Sequence, residues 1–531
     1  MKKIITGPEA RKKILDGTTK LCDAVSLTLG PRGRNVILTR EDGSRLITND
    51  GVTIAREVDL ECPFERVAAA TLREASLRTN TDAGDGTTSA IVLATSVIKE
   101  GMRAVDQGAS PILLKEELLS AARAAIDSVN QASVECHTES LLAVAVNSCQ
   151  NPDDGQIVSD AFERVGKDGV VTIEENNEGQ TYLKFSDGCE INARLAHPYM
   201  IGDQRRMETI FENTHVLITR NGIKSAKELL PLLEYIMAEK IRVVLVAPSY
   251  SDEVTQALVI NKLRAGLDII ALVLDEPDDR LDAVLGDLSA LTGTAPPADD
   301  TQLKNPAQHF GHAHKIIAGI HTSKILGPAA NDSTTEPKAR LYGGVTSHNP
   351  ILENRISLIT AQIADAPDDY QKHRLSERLA KLTTGIATIS VGCATEVERL
   401  EKKLRVEDAV HAVRAALRDG IVPGGGTTYI LCSQYLNKKP ETMGTQILAR
   451  ALLAIPRQIY KNADVNADLV LEKILESTEP SFGYDALNKK YCNMTESNII
   501  DPTAVIKCVI QNATSVAATL LTTDCMIVPN S

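Results

Sequence analysis

The sequence predicts a multidomain protein with helical segments towards both ends of the chain and an α/β segment in the middle. A chain of 531 residues is too long for one core and corresponds to roughly three domains of about 100–200 residues each. Aromatic residues make up only 3% of the chain and Trp is absent, which favours aliphatic, Ala-rich cores between closely packed helices. Between residues 187 and 386 short apolar runs alternate with helical patterns, as is typical of α/β organisation.

Composition and charge exclude several classes of protein. The formal net charge of −13 argues against a nucleic-acid-binding surface, which needs a basic stripe. The ten cysteines occur singly, without a Cys-x-x-Cys pair, which fits a reduced compartment better than a disulfide framework or a zinc site. The chain starts without an apolar leader, and no segment approaches the roughly 20 apolar residues of a membrane span. We therefore expect a cytoplasmic protein that binds neither nucleic acid nor a membrane.

The N-terminal part is predicted to be mostly helical. Apolar residues at helical spacing predict a long helix over residues 8–29, which ends at a Gly-Pro pair. Two apolar runs within residues 35–48 predict a β-hairpin, and the turn Asn49-Asp50-Gly51 leads into the next helix. Helical patterns then continue to about residue 130.

The stretch Asp82-Ala-Gly-Asp-Gly-Thr-Thr-Ser is the first candidate site. Its two glycines permit a tight turn and close approach of a ligand to the backbone. The two threonines and the serine open an apolar run that predicts a helix, whose first N–H groups would face the turn. Asp85, between the glycines, would repel a bare phosphate but suits a magnesium ion carried on one. The stretch alone fits a phosphate-plus-metal cradle and an ordinary Gly-rich turn about equally well, and it is not a Walker A loop.

The middle of the chain has the pattern of a parallel sheet. Short apolar runs that begin at His215, Arg242 and Asp268 predict buried strands. Helical patterns over residues 225–238 and 251–266 lie between them. Because helices connect successive strands, we expect parallel pairing.

One carboxylate after this segment stands out. A strand is predicted over residues 386–391 and a helix over about residues 395–418, and the apolar row of that helix continues into Asp408. A carboxylate in this position either pairs with a cation such as Arg405 or Arg414, or faces a cleft. The pattern of the helix leaves both alternatives open.

The C-terminal part contains a second Gly-rich turn and a final helix. The glycines of residues 424–426 open a helix and are a second candidate for a phosphate or ribose contact, although a Gly triplet alone is a weak signal. For the last helix we expect Asp501 as the N-cap and Pro502 at the first helical position.

Taken together and in this order, the motifs resemble the group I chaperonins of the GroEL type. The matching stretches are Thr28-Leu-Gly-Pro-Arg-Gly-Arg-Asn-Val, Asp50-Gly-Val-Thr-Ile-Ala-Arg-Glu, Gly84-Asp-Gly-Thr-Thr, Arg405-Val-Glu-Asp-Ala-Val-His-Ala-Val-Arg-Ala-Ala, Gly424-Gly-Gly and Asp501-Pro-Thr. The resemblance covers nearly the whole chain, and the set of motifs is far more specific than any one of them.

The resemblance implies a GroEL-like subunit with a helical equatorial ATPase domain, a small intermediate domain and an α/β apical domain. The implied segments are equatorial 1–131 and 419–531, intermediate 132–186 and 387–418, and apical 187–386. Gly188 and Gly385 fall where the family has hinges. The implied function is ATP-dependent enclosure of unfolded protein clients in a homo-oligomeric assembly of two stacked seven-subunit rings, closed by a small co-chaperonin lid.

The resemblance also implies a nucleotide site that uses ATP, Mg²⁺ and K⁺. Asp50 and Asp408 would be catalytic, because they would position and activate the attacking water, and Asp85 would hold the magnesium ion. Contacts to phosphate, ribose or adenine are implied for Thr28, Leu29, Gly30, Pro31, Gly51, Asp85, Gly86, Thr87, Thr88, Ser89, Gly424, Gly425, Asp485, Ala486, Leu487, Ile499 and Asp501.

A strip of apical residues is the implied client-binding surface, and it carries one of several departures from the family pattern. The matching positions are Leu195, Tyr199, Met200, Leu230, Leu233, Thr255, Val259 and Ile260. Thr255 replaces an expected Leu, Asn49 a Lys and Asp485 an Asn, and the family's Gly-Gly-Met tail is missing. These departures leave an alternative function open, a ring-forming or soluble interaction scaffold with weakened or lost refolding activity.

Overall fold

The computed structural model describes residues 2–39, 45–167, 169–176, 179–186, 188–204, 206–294, 303–327, 350–364, 366, 369–383, 385–439 and 442–529. The chain divides into two compact units, each with its own apolar core. The first comprises Met1–Asp160, Ile173–Thr181 and Val391–Ser531, and the second Ala161–Thr172 and Tyr182–Ser390. The five-segment, three-domain division stays a prediction.

The first unit is mainly helical. Its helices are α1 (Gly7–Ser26), α2 (Gly51–Glu57), α3 (Pro63–Ala83), α4 (Thr87–Asp106), α5 (Pro111–Ala132), α6 (Thr138–Cys149), α13 (Glu396–Asp419), α14 (Thr427–Asn437), α15 (Met443–Leu452), α16 (Ala454–Asn462), α17 (Ala467–Leu475) and α18 (Thr503–Leu521). A further helix, α7 (Pro152–Val165), belongs to both units in sequence. The last helix, α18, packs against α3, α4 and α5 in the middle of an aliphatic, Ala-rich core, as the composition predicts.

Small antiparallel strand pairs complete the first unit. They are β1 (Lys2–Thr6) with β18 (Cys525–Pro529), β2 (Val36–Thr39) with β3 (Arg45–Thr48), β14 (Ile421–Pro423) with β17 (Ile500–Pro502), and β15 (Phe482–Asp485) with β16 (Lys490–Asn493). The β1–β18 pair joins the two ends of the described chain, with Lys2 opposite Pro529.

The second unit is built on a seven-stranded sheet of order β6-β12-β11-β8-β9-β10-β7. The strands are β6 (Gly188–Ile191), β7 (Ala193–Leu195), β8 (Thr209–Ile218), β9 (Val243–Ala247), β10 (Ile269–Leu274), β11 (Gly311–Ala318) and β12 (Ser323–Leu326). The expected parallel pairing is confirmed for β8, β9 and β10, which alternate with α8 (Ala226–Glu239) and α9 (Asp252–Ala265). Three further helices are α10 (Asp278–Thr292), α11 (Pro350–Ala364) and α12 (Asp369–Thr383).

A second, three-stranded sheet has the order β4-β13-β5. Its strands are β4 (Val170–Glu175), β5 (Tyr182–Ser186) and β13 (Ile386–Val391). The bounds of β13 match the predicted strand, and α13 matches the predicted helix to within one residue at each end.

The expected start of the last helix is wrong. Asp501 lies in β17, where it pairs with Val422 of β14, and the N-cap of α18 is Pro502. Antiparallel pairing keeps residues 500–502 extended, so the helix begins at Thr503, one residue later than a cap at Asp501 requires.

The expectation that no segment has the length and polarity of a membrane span also needs correction. In the described chain, α18 is long and apolar enough to cross a membrane by length and composition, and 67% of its most apolar window is buried inside the protein. Since a buried core helix passes the same test, its packing against α3, α4 and α5 accounts for this composition.

Candidate functional site

The first unit contains a cavity of about 460 Å³ that gathers residues from distant parts of the chain. Nearly all the residues that the family resemblance assigns to the nucleotide line it. They are Thr28, Leu29, Gly30, Pro31, Asp50, Gly51, Asp85, Gly86, Thr87, Thr88, Ser89, Asp408, Gly425, Asp485, Ala486, Leu487, Ile499 and Asp501. Gly424 does not line the cavity, but it lies behind Asp501, since a Cβ at Gly424 would be 2.9 Å from Asp501 Oδ1.

The turn before α4 has the features of an anion-binding site. Gly86 is the N-cap, with a φ of 81° in the left-handed region that favours glycine. A Cβ at Gly86 would be 2.7 Å from Val505, so only glycine fits beneath α18. Asp85 Oδ1 accepts a hydrogen bond of 2.5 Å from the Gly86 N–H. The first-turn N–H groups of α4 lack partners within the helix, and the positive end of its dipole points into the cavity.

Asp50 lies at the start of a second helix on the cavity wall. Its carboxylate caps α2, accepting hydrogen bonds from the N–H groups of Val52 and Thr53 at 3.1 and 2.9 Å, and from Thr53 Oγ1 at 2.5 Å. A Cβ at Gly51 would be only 2.2 Å from Thr88 Oγ1. The first turns of α2 and α4 are therefore in direct contact at Gly51 and Thr88.

Asp408 faces this cavity from α13, which decides between the two alternatives that the sequence leaves open. It has no hydrogen bond or ion pair with any residue that the structure describes. Arg405, the nearer of the two candidate partners, pairs instead with Glu401 at 2.5 Å. Burial, together with the charges of Asp85 and Asp50, raises the pKa of Asp408 well above its ordinary value.

The pKa values of two other carboxylates in the cavity, Asp85 and Asp501, are raised as well. Burial raises the pKa of Asp85, and the charge of Asp50 adds to this, against the hydrogen bond from Gly86. Burial and the charge of Asp85 raise the pKa of Asp501 to about 7. The cavity thus disfavours negative charge on its own side chains and favours a bound cation.

Another part of the cavity wall is the β15–β16 hairpin and its turn. Asp485 Oδ1 accepts from the N–H groups of Leu487 and Asn488, both at 3.0 Å, and Oδ2 accepts from Asn488 Nδ2 at 2.7 Å. Asp485 therefore holds the turn that presents Ala486 and Leu487 to the cavity. Its role towards a nucleotide base remains a prediction.

Several lining residues were missed by sequence reasoning. Asn147, Ser148 and Gln150 reach the cavity from the end of α6, and Asn147 Nδ2 donates to Asn498 O at 2.8 Å. No local pattern marks them, because only the packing of α6 brings them here. Arg405 is the only cation among the described lining residues, and its spacing of three positions from Asp408 on one helix is a signal that could have found it.

In the second unit the predicted client-binding residues fall into two groups. Leu195, Met200, Leu233 and Val259 are buried in its core. Tyr199, Leu230 and Ile260 are exposed, and Thr255 is half-buried with its hydroxyl donating to Ser251 O. Two exposed residues of the same helices, Met237 on α8 and Leu263 on α9, were not predicted.

The chain matches the TCP-1/cpn60 chaperonin family over residues 21–531. It therefore belongs to that family, whose members are ATPases that assist protein folding. This is the class that the motifs resemble.

A solved structure gives the same result for the fold. The chain is similar to the chaperonin gp146 from the bacteriophage EL 2 (Pseudomonas aeruginosa), whose crystal structure was determined in the presence of ATP-BeFx. The TM-score is 0.69 at 18% sequence identity, and the match covers 99% of each chain. The predicted GroEL-like combination of α and α/β parts is thereby confirmed.

The perturbed carboxylates predict a pH-dependent stability. The pKa of Asp501 is about 7 in the folded chain and about 3.9 in an unfolded one. Between these values the folded state holds a proton that the unfolded state lacks, so its stability falls as the pH rises. We expect the melting temperature of the nucleotide-free protein to fall by a few degrees or more between pH 5.5 and 8. A change of roughly 1 kcal/mol in the free energy of unfolding shifts the melting temperature by about 2–4 °C. Asp501→Asn should flatten this slope.

The measurement is a series of thermal melts without nucleotide or divalent cation. Asp127→Asn, at an exposed position on α5, is the control and should keep the wild-type slope. Equal slopes for wild type and Asp501→Asn would contradict the raised pKa that is assigned to Asp501.

Proposed function

We propose that this protein is an ATP-dependent chaperonin that binds ATP and Mg²⁺ in the cavity of the first unit and uses hydrolysis to bind and enclose unfolded proteins. The observation that carries the proposal is the convergence of Asp50, Asp85, Asp408 and Asp501 beside the glycine turn that opens α4. Carboxylates that share a cavity with free helix N–H groups suit a metal ion and an anion bound together.

The residues present fit a magnesium–phosphate group. The N–H groups and hydroxyls of Thr87, Thr88 and Ser89 would donate to phosphate oxygens, and Asp85 would hold the metal ion. Among the described residues no three His, Cys, Asp or Glu side chains come close enough to bind a metal by themselves. This agrees with magnesium chemistry, since Mg²⁺ takes one or two carboxylates and completes its octahedron with phosphate oxygens and water.

Asp408 is the proposed proton acceptor for the attacking water. Its raised pKa means that it tends to hold a proton while the cavity is without a cation. With a metal nucleotide bound, the pKa of Asp408 would be lower, and Asp408 would be ready to accept a proton only in that state. The capping hydrogen bonds of Asp50 fix its carboxylate, so that it can orient the water. Arg405 would offset the negative charge of the transferred phosphoryl group.

The assembly that we propose is a homo-oligomeric ring in the cytoplasm, with a small co-chaperonin as its lid. The support is the family itself, because its members generally form ring oligomers and bind unfolded clients. Clients would bind the exposed apolar side chains of α8 and α9 in the second unit.

Two measurements on the purified protein test the proposal together. We expect Mg²⁺-dependent hydrolysis of ATP, and a particle mass by light scattering that is a multiple of the 57.2 kDa subunit. A monomer without ATPase activity would overturn the proposal, whereas a large ring without activity would favour the scaffold alternative.

Asp408→Ala should separate hydrolysis from binding. We expect kcat for ATP to fall by about a hundredfold or more, the usual contribution of a general base, while the Kd for ADP changes by less than about threefold, because Asp408 is not proposed to contact the nucleotide. Calorimetric ADP titration and steady-state ATPase assays measure the two effects. Glu396→Ala, at the start of the same helix, is the matched control. Equal loss of binding and turnover would show that the role assigned to Asp408 is wrong.

Exposed, rather than buried, apical residues should decide client capture. The double variant Leu230→Ser/Met237→Ser removes two half-exposed apolar side chains from one helix without opening the core. We expect capture of a denatured client to weaken by about tenfold or more, given about 1.5–3 kcal/mol for each fully buried aliphatic side chain. The assay is suppression of client aggregation. Ile320→Ser, in the turn after β11, is the control, and an equal effect of both changes would argue against this surface.

A further inference from the structure

The second unit contains a cavity of about 680 Å³ that the proposed function does not use. It lies among β6, α10, α11 and α12, and α8 and α9 contribute no residue to its described lining. Its volume is in the range of pockets that hold small organic ligands, about 300–1,000 Å³. The chemistry of its walls indicates which ligands fit.

A largely buried ion cluster contributes Asp287 and Arg378 to one wall of the cavity. Asp287 is almost fully buried and accepts hydrogen bonds from two guanidinium groups. Arg355 Nε donates to Oδ1 at 2.8 Å, and Arg378 donates through Nε to Oδ2 and through Nη2 to Oδ1 at 2.6 Å. Two cations on one carboxylate leave a net positive charge inside the unit, where the low dielectric extends its effect.

Three further cations line the cavity, namely Arg280, Arg374 and Lys381, and two of them lie at its solvent-exposed edge. Arg280 comes from the first turn of α10 and Lys381 from the last turn of α12, and both are exposed. Neither makes a hydrogen bond or ion pair through its side chain with the residues that the structure describes. Of the acidic lining residues, Glu276 accepts from Asn192 Nδ2 at 2.8 Å. The lining carries the cations Arg280, Arg374, Arg378 and Lys381 against the carboxylates Glu190, Glu276 and Asp287, and Arg355 adds a further positive charge beside Asp287. In a chain with a net charge of −13 the cavity is thus locally basic.

The remaining surface of the cavity is mostly apolar. Leu288 and Leu382 are buried at its wall, and Leu358 lines it from α11 with 57% of its surface exposed. A purely ionic ligand would leave this apolar surface in water, and a purely apolar one would leave Arg280 and Lys381 without a counter-charge. A molecule with both characters makes favourable contacts with both parts of the wall.

We propose that this cavity binds a small amphipathic organic acid, with its aliphatic body against Leu288, Leu358 and Leu382 and its carboxylate at Arg280 and Lys381. The cations that remain accessible hold the head group, because the guanidinium of Arg378 is already committed to Asp287. The site is independent of the nucleotide cavity, since each is formed within a different unit.

The absence of Trp from the chain allows a direct test. In Leu358→Trp the new side chain is the only indole and reports from the cavity wall. We expect decanoate, used below its micellar concentration, to change the Trp emission in a saturable way. We expect 1-decanol to bind at least about tenfold more weakly, because it lacks the negative charge. A tenfold change in affinity corresponds to about 1.4 kcal/mol. Leu263→Trp on α9 is the control reporter and should respond less at the same concentration.

Charge variants complete the test. Arg280→Gln/Lys381→Gln should weaken decanoate binding about tenfold and remove its advantage over decanol. Lys227→Gln/Arg264→Gln changes two exposed cations on α8 and α9. It should leave the affinity for decanoate and its advantage over decanol unchanged. Calorimetry of the unsubstituted chain with decanoate guards against an effect of the Trp itself, and circular dichroism verifies that each variant is folded.

Three results would overturn the proposal. The first is no saturable decanoate binding by either method. The second is equal binding of decanoate and decanol, which would show an apolar cavity without recognition of an acid. The third is a response of Leu263→Trp alone, which would place the ligand on the α8–α9 surface instead.

Discussion

Repulsion between carboxylates is the constraint on which the first unit depends. Asp50, Asp85, Asp408 and Asp501 face one cavity, and the raised pKa values of three of them record the cost of keeping negative charges together away from bulk water. The core must offset this cost, and the packing of α18 against α3, α4 and α5 is its centre. A bound metal ion would relieve the same repulsion, so the site is built to favour the cation-bound state.

Close backbone approach is what allows so many polar groups to meet. A Cβ at Gly84 would be 2.3 Å from the Cβ of His411, so the turn before α4 lies directly against α13. A Cβ at Gly51 would reach Thr88, and one at Gly86 would reach Val505. Each contact joins two segments far apart in the chain, and each requires a residue without a side chain.

The second unit presents two surfaces of different chemistry. Leu230, Met237, Ile260 and Leu263 expose apolar side chains on α8 and α9, which contact each other, and such a surface suits partners of variable sequence. The cavity among β6, α10, α11 and α12 combines apolar walls with cations, which suits a ligand of defined shape and charge. A single mixed sheet supports both, because helices cover the sheet and their outer faces are free to differ.

Local patterns in the sequence were sufficient for many of the elements, and the family resemblance implied many of the residues that line the cavity. Hydrophobic periodicity predicted α13 to within one residue and the parallel strands of the second unit, because periodicity reflects which face of an element is buried. The order of the glycine and aspartate motifs was sufficient to identify the family. Tertiary packing alone decided that Asp408 faces the cavity, that Asp501 is held in a strand rather than at a helix cap, and that Leu195 and Met200 are buried. These outcomes depend on contacts between residues far apart in the chain, such as Asp501 with Val422 and Leu195 with Leu272, which no local pattern encodes.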